Sequence, residues 1–239
     1  MHKKYTAMNT EKFFAAIDLG SSKITGVVAQ KTAEGKLDII ACEQVESKFI
    51  RRGEIKNASD TAFQINDIIK KLENNRVLRE AKAEIKKVYV GLGGHTLKTV
   101  NNTVKRVLGS DEEVTAELVE NMREENFKIK IDNNEIYEII EQEYIVDDEF
   151  EYNPVGMTCF NLQGRYKIIC GKPELRKSLQ RSFEKANLLE IAGLYISPIA
   201  TSESVISESE KEMGCALIDF GADTTSVCVF FNGYLRHLA

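Results

Sequence analysis

Two short segments about two hundred residues apart share one design, and that design restricts the fold more than any other feature of the chain. The first reads Ala-Ile-Asp18-Leu-Gly20-Ser21-Ser22-Lys23, and the second reads Leu-Ile-Asp219-Phe-Gly221-Ala-Asp223-Thr224-Thr225. Each sets an acid at the end of an apolar strand, a glycine two residues on, then hydroxyls and a second strand-forming run. Glycine lets backbone N–H groups approach a ligand closely, and Ser or Thr hydroxyls add donors, so the pattern suits a phosphate cradle. Asp18 and Asp219 could orient water around a magnesium ion that accompanies phosphates. The Walker and dinucleotide motifs both lead from a strand into a helix, whereas here a strand follows. Taken singly, either segment is also compatible with an ordinary hairpin in which Asp and Gly serve only the turn. The pair fits two related domains that each contribute one hairpin and hold nucleotide phosphates from opposite sides.

The rest of the chain reads as an α/β protein. Phe13 to Asp18, Ile24 to Ala29 and Leu37 to Val45 are strand-like and predict three antiparallel strands. Ala62, Ile65, Ile69 and Leu72 recur at helical spacing, with Ile68 widening the apolar face. From Lys86 the pattern changes: strand-like runs near Val88 to Val90, Leu97 to Val107 and Ile136 to Val146 surround an acidic helical segment at Glu113 to Glu125. An acidic loop, Asp147 to Glu151, and Asn153-Pro-Val-Gly156 follow, and the block predicts a small inserted α+β domain. Tyr166 to Cys170 reads as a strand and Pro173 opens a helix with Leu175, Leu179, Phe183 and Ala186 on its buried face. A short strand at Gly193 to Ser197, a helix from Ala200 to Glu212 and a hairpin turning at Asn232-Gly233 complete the pattern.

Composition narrows the function. A length of 239 residues with 43% hydrophobic content allows one large core or two modest ones, and two domains are expected. The formal charge of -5 is spread along the chain, which argues against a nucleic-acid partner. Cys42, Cys159, Cys170, Cys215 and Cys228 are odd in number and contain no Cys-x-x-Cys pair, so they read as hydrophobes in a reducing compartment. Met1 to Lys12 lacks the apolar run of a secretory signal, and no run elsewhere approaches the roughly 20 residues that span a bilayer. His95 and His237 have no Cys or His at ligand spacing, and Lys177, Arg181 and Lys185 read as a solvated helix face. No catalytic residue is assigned.

The two hairpins give the layout of the actin and sugar-kinase superfamily, with a ribonuclease H-like fold. A closer resemblance rests on the inserted block. Val88-Tyr-Val-Gly-Leu-Gly-Gly-His95, Glu143-Tyr-Ile-Val-Asp147 and Asn153-Pro-Val-Gly-Met157 are similar to the 1C subdomain of the FtsA family, and Ala192-Gly-Leu, Ile199-Ala-Thr-Ser-Glu and Glu210-Lys-Glu-Met-Gly214 further on resemble the family's approach to its second phosphate loop. The resemblance implies subdomain 1A at residues 1–85 and 169–198, an inserted 1C at 86–168, and the start of 2A with the second phosphate hairpin at 199–239. It implies ATP with magnesium as cofactor, held by Asp18, Gly20, Ser21, Ser22 and Lys23 and by Asp219, Gly221, Asp223, Thr224 and Thr225. At most weak ATPase activity, by positioned water, is expected. The partners implied are FtsZ, later division proteins and further copies of the chain. The implied location is the cytoplasm, at the inner face of the membrane at the division site. A pilus-assembly actin homologue, PilM, and a small-molecule kinase of the same superfamily are the alternatives.

Three departures bear on these expectations. The family's second loop carries glycines and a last acid where this chain has Ala222, Asp223 and Ser226. A carboxylate 4 Å from a phosphate charge costs about 4 kcal/mol at an effective dielectric of about 20, so weakened or metal-dependent nucleotide binding is expected. The chain stops at Ala239, and the adenosine-binding loop, the remainder of a second domain that would be truncated here, and a C-terminal membrane helix are expected beyond it. Unfinished sheets leave edges, so Cys215 to His237 is expected to be poorly ordered or paired with a neighbouring molecule.

Overall fold

In the computed structural model, residues 13–109, 112–186 and 189–239 are described, so the reading of Met1 to Lys12 lies outside them. Elements are numbered along the chain. β1 (Phe13–Leu19), β2 (Lys23–Lys31) and β3 (Leu37–Glu46) form an antiparallel meander, as their alternating apolar residues predict. A two-residue pair, β4 (Ile50–Arg51) and β5 (Glu54–Ile55), turns at Arg52-Gly53, where both φ values are positive. α1 (Ala58–Glu73) begins at Asn57, whose side chain accepts the N–H groups of Ser59 and Asp60. α2 (Arg76–Ala81) starts at Asn75, whose side chain also donates to the Ile40 carbonyl at 2.9 Å.

The contacts divide the chain into two units. The first holds a five-stranded sheet in the order β11-β6-β1-β2-β3, with β6 (Lys87–Leu92) parallel to β1 through Ala16 opposite Tyr89, and β11 (Glu190–Ile196) at its edge. α1 covers β2 and β3, burying Ile65, Ile68, Ile69 and Leu72 opposite Ile17, Ile24 and Val28. Each such side chain contributes about 1.5–3 kcal/mol by leaving water. Phe14, Tyr89 and Tyr195 form a row of ring contacts across β1, β6 and β11. β6 was expected to open the inserted block at residue 86. Its parallel pairing with β1 instead makes it a strand of the main sheet, and the chain leaves that unit after Leu92.

The second unit contains a four-stranded antiparallel sheet in the order β7-β10-β8-β9. Its strands are β7 (Lys98–Val107), β8 (Glu135–Val146), β9 (Glu149–Glu151) and β10 (Asn161–Gly171), and α3 (Ala116–Glu125) packs on β10 and β7 over a core that includes Val104, Met122, Leu162 and Tyr166. Tyr166 to Cys170 is expected as a strand that follows the inserted block. It is the second half of β10, continuous with Asn161 and paired on both sides. The acidic loop is tighter than expected: Asp147 and Asp148, both with positive φ, make a two-residue turn into β9.

α4 (Glu174–Lys185) buries Leu175, Leu179 and Phe183 as its spacing predicts. The expected helix from Ala200 to Glu212 is two helices, α5 (Ser197–Val205) and α6 (Glu208–Met213). Ser207 breaks the run by capping α6 reciprocally with Glu210. β12 (Cys215–Phe220), β13 (Thr225–Phe231) and β14 (Tyr234–Leu238) then form a three-stranded sheet within the second unit. Asn232 and Gly233 take positive φ in the β13–β14 turn. Cys215 to His237, expected to be poorly ordered or paired with a neighbouring molecule, instead packs against its own chain. β14 lies against β7, β8 and β10, and Cys228, Phe230, Leu235 and Leu238 are buried.

Candidate nucleotide-binding hairpins

Each candidate segment is the tip of an antiparallel hairpin, and the two tips share one register. In the first, Asp18 pairs with Thr25 and Leu19 with Ile24. In the second, Asp219 pairs with Ser226 and Phe220 with Thr225, so the acid faces the residue seven positions on in both. The glycines are required by close approach. A Cβ at Gly20 would fall 2.7 Å from the Lys23 carbonyl oxygen, and one at Gly221 would fall 2.8 Å from that of Thr224. In the second turn that approach is a hydrogen bond, Gly221 N–H donating to Thr224 O at 2.9 Å.

The first unit brings Asp18, Gly20, Ser21, Ser22 and Lys23 together, with Asp18, Ser22 and Lys23 exposed and Gly20 and Ser21 half-buried. The Ser47 N–H donates to the Ser22 carbonyl at 2.9 Å and fixes the far side of this turn. The second unit brings together Asp219, Gly221, Asp223, Thr224 and Thr225, all exposed except the half-buried Thr224. Asp223 accepts the Arg52 backbone N–H through Oδ2 at 3.2 Å. Neither Ser47 nor Arg52 was singled out from the sequence, because their contribution is a backbone N–H, which no side-chain pattern encodes. The Arg52-Gly53 turn was the only signal available.

Burial, reinforced by the nearby Asp219 charge, pushes the Cys228 thiol up to about 11, so it stays protonated at neutral pH. Cys159 and Cys170 are also buried and shifted upward by burial, Cys215 is half-buried, and only Cys42 is exposed. His95 donates its backbone N–H to Arg52 O, with its ring 3.6 Å from Glu54, and serves a local turn. Among the described residues, no group of three or more His, Cys, Asp or Glu side chains is placed to hold a metal directly. Lys185 of the basic stripe donates to Ser59 Oγ at 2.7 Å.

The inserted sheet carries a polar constellation that the sequence did not reveal. Arg123 is buried beside Glu120, Glu138 and Glu141 and donates to the Ile139 carbonyl. Glu143 bridges Arg165 and Arg236. Burial alone would raise the Glu143 carboxyl, but the hydrogen bonds and charges of Arg236 and then Arg165 outweigh it and hold the group below the ordinary carboxylate range.

Known proteins resemble this chain in sequence and in fold. The family described as the SHS2 domain inserted in FtsA matches residues 94–170, the span that holds β7, α3, β8, β9 and nearly all of β10. The cell division protein FtsA of Porphyromonas gingivalis is 28% identical over 97% of this chain and 48% of its own length. That of Escherichia coli is 27% identical over 95% and 53%, and that of Bacillus subtilis 27% identical over 95% and 51%. The chain thus spans about half the length of the curated relatives it matches. Among solved structures, a PilM–PilN type IV pilus biogenesis complex aligns with a TM-score of 0.60 at 13% identity, over 95% of this chain and 60% of that one. The ethanolamine utilization protein EutJ from Carboxydothermus hydrogenoformans aligns with a TM-score of 0.52 at 12% identity, over 96% and 51%. At such identities these likenesses speak to the fold alone, and both share the actin-like architecture. The chain is thus similar to the FtsA cell division proteins over about half of their length, has the actin-like fold, and matches the SHS2 domain inserted in FtsA over residues 94–170.

Proposed function

We propose that the chain is the ATP-binding part of an actin-like cell-division protein that polymerises and links FtsZ filaments to the inner face of the cytoplasmic membrane. The observation that carries this reading is the SHS2 domain of FtsA lying in sequence between two glycine turns of identical register. The turns suit phosphate: the backbone carbonyls of Lys23 and Thr224 close against glycines with no room for a Cβ, and Ser21, Ser22, Thr224 and Thr225 bring hydroxyls to the same turns. Asp18 and Asp219 stand at strand ends, where each carboxylate would reach magnesium through water. ATP with magnesium, when bound, supplies a set of phosphate charges that differs before and after hydrolysis. Ser47 fixes the first turn and Asp223 ties the second to Arg52, so both tips are positioned before a ligand arrives.

The proposed domain assignment keeps the main sheet as 1A, the SHS2 block as 1C and the three-stranded sheet as the start of 2A. Recognition of FtsZ, self-association and membrane attachment are part of this proposal, and the similarity to FtsA proteins supports its cell-division setting. The likeness to the PilM structure favours a second reading, a pilus-assembly actin homologue, on fold alone. Co-pelleting of the full-length protein with FtsZ filaments and with lipid vesicles, each with and without ATP, separates the two. Recruitment by both is expected, and protein that stays in the supernatant with both overturns the tether reading.

A further inference from the structure

The second glycine turn is one end of a hairpin whose other end grips the inserted domain. β13 runs seven residues from Thr225, beside the turn, to Phe231, a span of about 20 Å. β14 returns along it, and the backbones of Ala239 and Val227 exchange hydrogen bonds of 2.9 and 3.1 Å just behind the turn. At the far end the contacts are specific. Arg236 Nη1 donates to Glu143 Oε2 at 2.7 Å and to Gln142 Oε1 at 3.2 Å, while its Nε donates to the Phe231 carbonyl at 3.2 Å. Tyr234 stacks on Tyr152 with centroids 5.6 Å apart and planes 11° apart, and Asn232 Nδ2 donates to the Tyr152 hydroxyl at 3.1 Å. Asn232 and Gly233 N–H groups donate to the Glu212 and Lys211 carbonyls, which pins the hairpin end to α6.

We propose that β13–β14 is a lever coupling ligand occupancy at the Gly221–Thr225 turn to the β8–β9 end of the inserted domain, with Arg236 and Tyr152 as positioning residues. A hydrogen-bonded strand pair transmits displacement because sliding it breaks its ladder, and the Arg236–Glu143 and Tyr234–Tyr152 contacts leave no slack at the far end. A ligand that orders the turn therefore orders β8 and β9, and by linkage a partner that fixes β8–β9 changes affinity at the turn by the same factor. The proposal rests on the reading of the turn as a phosphate site.

Hydrogen exchange on the full-length protein, with and without magnesium-ATP, tests it. In the unaltered protein, ATP should slow exchange at least about threefold both at Gly221–Thr225 and at Tyr144–Glu151. Arg236→Met keeps the packing over Tyr234 and should retain the first effect while losing the second, Arg236→Lys should restore it in part, and Tyr152→Ala should weaken it through a different contact. Slowing confined to the turn in the unaltered protein overturns the lever and leaves the phosphate site standing. Undiminished slowing at Tyr144–Glu151 in both Arg236→Met and Tyr152→Ala also overturns it. No slowing anywhere at millimolar ATP overturns the phosphate reading itself, and the lever with it.

Discussion

The turn after β1 and the turn after β12 have the same glycine, the same close carbonyl and the same register, yet they stand on different foundations. β1 lies inside a five-stranded sheet, paired on both sides, and Ile17 on it is 1% exposed. β12 is the edge of a three-stranded sheet, where Ile218 is 51% and Phe220 80% exposed. The local geometry of such a turn needs only a glycine and two extended strands. Its stability is set by what those strands are packed against, and that differs between the two.

Substitutions can break this contrast. The largest effect is expected at Ile17→Ala, which should cost about 3–4 kcal/mol by leaving a cavity in the main sheet, while Ile218→Ala should stay within about 0.5 kcal/mol. Urea midpoints of the two variants measure the difference, and equal losses would show that β12 is covered in solution. Gly20→Ala and Gly221→Ala should be more alike, because both force a Cβ against a backbone carbonyl. Each should cost about 1–3 kcal/mol and weaken ATP binding about tenfold or more, read by melting and by calorimetry.

Asp223→Gly sharpens the comparison in the opposite direction. Asp223 is exposed, so its repulsion of a phosphate is closer to the bulk-water figure of about 1 kcal/mol at 4 Å than to the partly buried figure of about 4 kcal/mol. ATP affinity should rise at low salt by up to about fivefold, less what is lost with the bond to Arg52, and an unchanged dissociation constant would show that the repulsion does not outweigh that bond. The smallest effect concerns pH. Glu143 has a lowered pKa in the folded state, so its contribution is full above the unfolded carboxylate value near 4.3 and is lost as pH falls through the lower folded value. Arg236→Met should flatten the acid limb of the stability curve, measured as the urea midpoint between pH 5 and pH 2.

Both turns were legible in the sequence because their chemistry is local: Asp, Gly and a hydroxyl within six residues, each flanked by apolar strands. The buried faces of α1 and α4 were legible for the same reason, since helical spacing alone places Ile65, Ile69 and Leu72, or Leu175, Leu179 and Phe183. The departures came where one run of residues could serve two partners. Val88-Tyr-Val90 reads as a strand in either domain, and only its pairing with Ala16 and Ile17 assigns it to the main sheet. Ser207 could sit inside a helix, and its reciprocal bonds with Glu210 make it a boundary instead.

By itself, therefore, the sequence determined most of the main strands and helices, where the two glycine turns lie and that an α+β block interrupts the main domain. These depend on periodicity and turn chemistry, which act over a few residues. Tertiary structure alone decided that β6 joins β1, that Ser47 and Arg52 brace the turns through backbone N–H groups, and that Arg236 reaches Glu143 across 93 positions of chain. Such contacts arise from pairing between distant segments, where any acid could meet any arginine, and only the packed sheets bring one particular pair within 2.7 Å.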